Sequence, residues 1–270
     1  MRPKPDHGPL GERSVTPGEP WLPVEVFDRL GSTNDEIRAR PRTWRVVVAE
    51  RQDAGRGRLG RSWTTTPGTG LAVSVLVPPP ASGPAWAPLL AGLAVHRAVL
   101  EVADLLTALK WPNDVLVPSD GDRKLAGLLC EWTTQGVVVG LGLNVGTARE
   151  DLPLDAATSL HAARAGGASD SSGTSGAPKT PGVDRANVLT AYLVHLARLL
   201  REDTGPSGAV QAAYAAACST VGRVVEVHEP GGGVLRGMAT GVDDAGRLAV
   251  RTAEGTYAVS AGDVVHVRSR

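Results

Sequence analysis

The chain has 270 residues, 42% hydrophobic and 21% charged, enough to bury a core without disulfides or metals. Basic and acidic residues balance at 28 each, which argues against a general polycationic coat for nucleic acid or anionic membrane. Among the cations Arg outnumbers Lys 24 to four, and the four are Lys4, Lys110, Lys124 and Lys179.

Residues 1–20 are rich in Pro, Gly and charge and read as a disordered tail. Residues 1–19 contain no apolar run of the kind a signal peptide needs, so none is predicted. Residues 24–28 form a strand, 34–40 a short helix with Ser32 or Thr33 as N-cap, and 45–50 a buried strand. A Gly/Arg loop occupies 52–61, followed by a strand over 71–77 and a core helix over 85–106. Residues 62–96 carry no charge, but Pro67, Pro78, Pro79, Pro80, Pro84 and Pro88 interrupt them, so no membrane span is expected. Short β-like runs between 108 and 145, split by turn residues, predict antiparallel hairpins. Residues 162–182 are low-complexity Gly/Ser/Ala/Pro and read as a flexible loop. Helices follow over 184–201 and 207–217, then strands at 224–228, 234–242, 248–252 and 257–267. Their spacing predicts a small barrel, so the layout is an α+β body over 21–219 and a β module over 220–270. Cys130 and Cys218 lie far apart without a CxxC or a nearby His pair, which predicts buried thiols in a reducing, cytoplasmic compartment.

Four stretches concentrate residues suited to chemistry. In Gly55-Arg56-Gly57-Arg58-Leu59-Gly60-Arg61-Ser62-Trp63 the glycines free the backbone and the arginines supply forked donors for carboxylate or phosphate. The stretch matches GxGxxG, but a strand-like segment follows instead of a helix and no acid appears within residues 62–96, so a Rossmann site is rejected. Lys110-Trp111-Pro112-Asn113-Asp114 reads as a tight turn with two polar side chains. Arg123-Lys124-Leu125-Ala126-Gly127-Leu128-Leu129-Cys130-Glu131 places a Lys at the head of an apolar strand, with Gly127 open to close approach. Gly140-Leu141-Gly142-Leu143-Asn144 repeats that pattern of glycines in a strand.

In this order, with GSTNDE at 31–36, Gln52 and ATSL at 157–160, the motifs resemble the biotin–protein ligases over about residues 24–160. The resemblance implies an α+β fold, a mixed or antiparallel sheet packed with helices like a class II synthetase core, plus an SH3-like C-terminal barrel. About 20 residues precede the first strand, too few for the winged-helix DNA-binding domain of the regulatory members, so a monofunctional type is expected. The implied substrates are biotin and ATP, with Mg²⁺ accompanying ATP. The implied partners are carboxyl-carrier domains of acyl-CoA carboxylases, acetyl-CoA carboxylase among them, or of pyruvate carboxylase. A homodimer formed on adenylate binding is a further implication, and no nucleic-acid or membrane partner is expected.

By motif match, Lys124 and Arg58 are the catalytic cations, and Asp114 is an acid near the reacting centre. Biotin is expected on Ser32, Thr33, Asn34, Gln52, Gly55, Arg56, Gly57, Arg58 and Lys124, over a floor of Gly127, Leu129, Gly140 and Gly142. The nucleotide is expected on Arg58, Arg61, Trp63, Asn113, Lys124 and Asn144. Leu59 departs from the family pattern, where another Arg is common. A lipoate–protein ligase is the nearest rival; an RNA-binding module and a non-catalytic biotin sensor are more distant ones.

Overall fold

The computed structural model describes residues 10, 15–167, 183–206, 208–229 and 232–267. Most of the predicted tail and residues 168–182 of the predicted loop lie outside these described residues. Strand β1 (Val24–Leu30), helix α1 (Thr33–Ala39) and strand β2 (Val46–Gln52) form a crossover whose two strands are parallel. Strands β3 (Gly70–Val77), β4 (Ala108–Lys110), β5 (Asp114–Val117), β6 (Arg123–Thr133) and β7 (Gly136–Asn144) complete a seven-stranded mixed sheet. Its order is β1-β2-β3-β7-β6-β5-β4, and the pairs beyond β1–β2 are antiparallel.

The period-2 alternation of the strands divides the two faces of this sheet. On one face Leu71, Val73, Val75 and Val77 of β3 join Val137, Val139, Leu141 and Leu143 of β7 in the main core. Helices α2 (Trp86–Ala103) and α4 (Arg185–Glu202) cover that face. Helix α2 is long and apolar enough to cross a bilayer, but 67% of it is buried in this core. Asp184 caps α4, accepting from the Ala186 N–H at 2.9 Å. On the other face α1 covers only a small cluster of Ile37, Val47, Leu76 and Val138. Further along, that face carries Gly127, Leu129, Gly140, Gly142 and Asn144 and opens into a cleft.

Helix α3 (Leu160–Gly167) replaces the first residues of the predicted flexible loop. Ser159 starts it, accepting from the Ala162 N–H at 3.0 Å while its hydroxyl donates to Thr147 O at 2.6 Å. Leu10 is buried in the core, and its N–H donates to the Glu50 carboxylate at 2.8 Å. The same carboxylate accepts from buried Arg185 at 2.8 Å, which ties the tail, β2 and the start of α4 together.

After α5 (Ala209–Ala217), strands β8 (Val224–His228), β9 (Val234–Val242), β10 (Leu248–Arg251), β11 (Thr256–Val259) and β12 (Asp263–His266) form an antiparallel sheet ordered β11-β10-β9-β8-β12. The sequence predicted one strand over 257–267; the chain instead breaks between Val259 and Asp263. A flat five-stranded sheet would separate its edge strands by roughly 19 Å. The short link between β11 and β12 spans at most about 14 Å. The sheet therefore curls into a small barrel. Two buried tryptophans hold it to the body through the β9–β10 turn. The Trp86 indole donates to Asp244 O at 2.8 Å and the Trp111 indole to Gly246 O at 3.0 Å.

Candidate active site

The open part of the sheet face, the Gly/Arg loop and one side of the barrel enclose a cleft of about 1700 Å³. The sequence motifs converge on it from distant parts of the chain. Lys110 and Lys124 both line it, and the other two lysines lie outside the described residues.

Ser32 and Thr33 stand where β1 ends and α1 begins. Ser32 is the N-cap residue, but its side chain makes no capping bond. Thr33 instead points its N–H and hydroxyl at Gln52 Oε1, at 2.9 and 3.1 Å. Gln52 is brought there by its parallel register with Leu30, the last residue of β1. Asn34 donates to Glu131 at 2.6 Å, and its Oδ1 accepts from the buried Ser74 hydroxyl at 2.6 Å. Its carboxamide is thereby oriented along the cleft wall. A Cβ at Gly140 would sit 2.3 Å from Asn34 Oδ1, so this glycine admits the asparagine. Gly142 likewise admits Trp63, whose ring would meet a Cβ at 2.1 Å. The openings in β7 thus admit side chains of the protein's own motifs, while both glycines still line the cleft.

Trp63 also approaches Gly127 and lies beneath the Lys124 ammonium, which is 5.7 Å from the ring centroid. Lys124 Nζ makes an ion pair with Asp114 Oδ1 at 2.7 Å. Arg58 donates to Asn113 Oδ1 at 3.0 Å, and Asn113 donates in turn to Leu128 O at 3.1 Å. Burial pushes the Arg58 pKa below its ordinary value despite the nearby Asp114 and Asp263 charges. A cation desolvated in this way favours an anionic ligand that restores its charge balance. Asn144 is held by donation to Thr158 O at 2.9 Å.

Not every expected residue faces the cleft. Gly55 does not line it. Its carbonyl accepts from the Trp63 N–H at 2.9 Å, and a Cβ there would lie 2.3 Å from Trp63 O, so it closes the neck of the loop. Arg56 does line the cleft, where it pairs with Asp35 at 2.6 Å and reaches Glu131 at 3.4 Å. Arg61 pairs with Asp263 of the barrel at 2.7 Å. Leu59 adopts a left-handed φ of 57° and is exposed.

The barrel contributes cleft residues that the sequence did not single out, among them Arg223, Arg236, Met238, Asp263 and His266. Burial, with Lys110 and Arg223 nearby, pushes the His266 pKa down to about 4, so it is neutral at physiological pH. These residues belong to no recognisable motif, and only the docking of the barrel brings them to the site.

Comparison with known proteins decides the family. Residues 26–147 match the Biotin/lipoate A/B protein ligase family, and residues 220–267 match the Biotin protein ligase C terminal domain. The chain is 36% identical to a biotin–[acetyl-CoA-carboxylase] ligase of Mycobacterium tuberculosis, over 99% of this chain and 98% of that protein. It belongs to the biotin protein ligase family. It is 30% identical to the bifunctional ligase/repressor BirA of Bacillus subtilis, covering 81% of this chain and 65% of that protein. In three dimensions it resembles the biotin protein ligase of Aquifex aeolicus in complex with biotin and ATP. That likeness has a TM-score of 0.73 at 25% identity and covers 91% of this chain and 99% of that one. As a ligase of this family, it carries the catalytic fold together with the C-terminal barrel.

Proposed function

We propose that this enzyme joins biotin to ATP as biotinyl-5′-AMP and passes the biotinyl group to one lysine of a carboxyl-carrier domain. In the first step a biotin carboxylate oxygen attacks the α-phosphorus, a new O–P bond forms, and pyrophosphate leaves with the electron pair. In the second step the carrier amine attacks the anhydride carbonyl, AMP departs, and the amine proton passes to solvent. The observation that carries this reading is the convergence of Arg58 and Lys124, from separate motifs, on one cleft. Two anions must meet before they react, and fixed cations lower the cost of that approach.

Within this reading Lys124 contacts the biotin carboxylate and the charge growing on phosphorus. Arg58 and Asn113 face the nucleotide, Trp63 stacks on adenine, and Asn144 and Arg61 stand at the phosphate end. Ser32, Thr33, Asn34 and Gln52 form the polar end for biotin's ureido ring, with Arg56 and Gly57 framing it. Gly127, Leu129, Gly140 and Gly142 form the floor beneath them. The loop over 52–61 closes on the adenylate and keeps water from the anhydride.

The cleft carboxylates Asp114, Asp122 and Asp263 are paired with Lys124, Arg223 and Arg61. Among the described residues no cluster of three His, Cys, Asp or Glu gathers as a metal cage. Mg²⁺ would therefore enter the cleft with ATP, as part of the substrate. Carriers from acyl-CoA or pyruvate carboxylases, a cytoplasmic setting, and pairing of two copies on the adenylate belong to the same proposal. The test is ATP–pyrophosphate exchange with biotin or lipoate as the acid. Exchange with biotin alone supports the reading; exchange with lipoate alone overturns it.

A further inference from the structure

Asp120 sits in the turn between β5 and β6, outside every motif that carries the family resemblance. Its side chain is only 12% exposed although it lies on a turn. Oδ1 accepts from Arg123 at 2.9 Å; Oδ2 accepts from Arg149 at 2.6 Å and from the Thr158 hydroxyl at 2.5 Å. One carboxylate thus gathers the head of β6, the 149–151 turn and the segment that leads into α3.

Lys124 stands where those segments meet, and the sheet by itself leaves its backbone poorly held. The β6–β7 ladder begins only at Ala126, two residues beyond it. On the other side the β5–β6 register shifts between Val115 and Leu116, the partner of Lys124. The missing β7 neighbour is replaced by residues 156–158. The Lys124 N–H donates to Ala156 O at 2.7 Å, and the Lys124 carbonyl accepts from the Thr158 N–H at 2.8 Å. Thr158 is the residue whose hydroxyl Asp120 holds. We propose that Asp120 is a positioning residue for Lys124: by clamping Thr158 and Arg149 it fixes the substitute strand that aims the Lys124 ammonium into the cleft.

This inference rests on the reading of Lys124 as a ligand of the biotin carboxylate. An ammonium on a four-carbon stem is directed only as well as its Cα is fixed. Misplacement by about 1 Å is enough to cost a large share of an oriented interaction. A carboxylate with three donors makes a stiffer clamp than a neutral amide, because its charge strengthens every bond it accepts.

The test is a double-mutant cycle read by calorimetric binding of biotin to full-length wild type, Asp120→Asn, Lys124→Ala and the double variant. Asp120→Asn is expected to weaken biotin on the order of tenfold in the Lys124 protein. In the Lys124→Ala background the same change is expected to matter by less than about twofold. Equal weakening in both backgrounds would show that Asp120 acts on the fold at large and would overturn the proposal. If Asp120→Asn does not fold, Thr158→Ala removes one clamped hydroxyl and is expected to give a smaller loss with the same dependence on Lys124. No loss in a folded clamp variant also overturns it, while a Lys124→Ala protein with unchanged biotin affinity sinks the underlying reading as well.

Discussion

Lys124 Nζ and Asp114 Oδ1 meet at 2.7 Å within the cleft, joining two motifs that are neighbours only because β5 and β6 pair. The carboxylate holds the ammonium in place before substrate arrives. Lys124→Ala is expected to cut biotin-dependent pyrophosphate exchange by at least about 100-fold, the scale of losing a charge donor at a reacting centre. Asp114→Asn is expected to cost less, roughly tenfold, because the cation remains but is less well directed. Wild-type exchange in Lys124→Ala would contradict the assignment.

Trp63 occupies the space that Gly142 leaves open. Gly142→Ala places a methyl 2.1 Å from the ring, so the ring must move. Weaker ATP binding with biotin binding less affected is expected, measured as separate changes in KM for the two substrates. Unchanged KM for ATP would remove Trp63 from the nucleotide site.

Arg61 and Asp263 link the Gly/Arg loop to the barrel at 2.7 Å. Hydrogen exchange over residues 53–62 is expected to slow when a non-hydrolysable biotinyl-adenylate analogue binds, and Asp263→Asn is expected to speed it in the free enzyme. Equal protection with and without the analogue would contradict loop closure.

Glu50 and Arg185 form a buried pair, with side chains 9% and 3% exposed. Breaking such a pair from one side costs about 3–5 kcal/mol, so Glu50→Gln is expected to lower stability by that order. Burial raises the Glu50 pKa, but the Arg185 contact and two backbone N–H donors outweigh it and leave the pKa below its ordinary 4.5. The pair's contribution is therefore full above that ordinary value and is lost as pH falls through the lower folded value. Urea unfolding should show the gap between wild type and Glu50→Gln narrowing as the pH drops below about 4.5. A constant gap would contradict the linkage.

The cleft's floor and cations are legible in the chain because their signals are local: glycines alternating in a strand, Arg between glycines, a Lys opening an apolar run. What those residues touch is not local. Gly140 and Gly142 read as bare backbone, yet Asn34 and Trp63, remote in sequence, fill them. Arg56 and Arg61 look equivalent to Arg58, but only tertiary packing supplies Asp35 and Asp263 as their partners. Helix α3 is hidden by the low-complexity composition that follows it, although Ser159 marks its start. Arg223 and His266 carry no motif, because the docking of the barrel through Trp86 and Trp111 alone brings them to the cleft.

Carrier biotinylation is measured by incubating the enzyme with a purified carboxyl-carrier domain, biotin and ATP and locating the label by mass spectrometry. One biotinylated carrier lysine is expected, only when both biotin and ATP are present, and none with the Lys124→Ala enzyme. An unlabelled carrier, or labelling that proceeds without ATP, would contradict the proposed reaction.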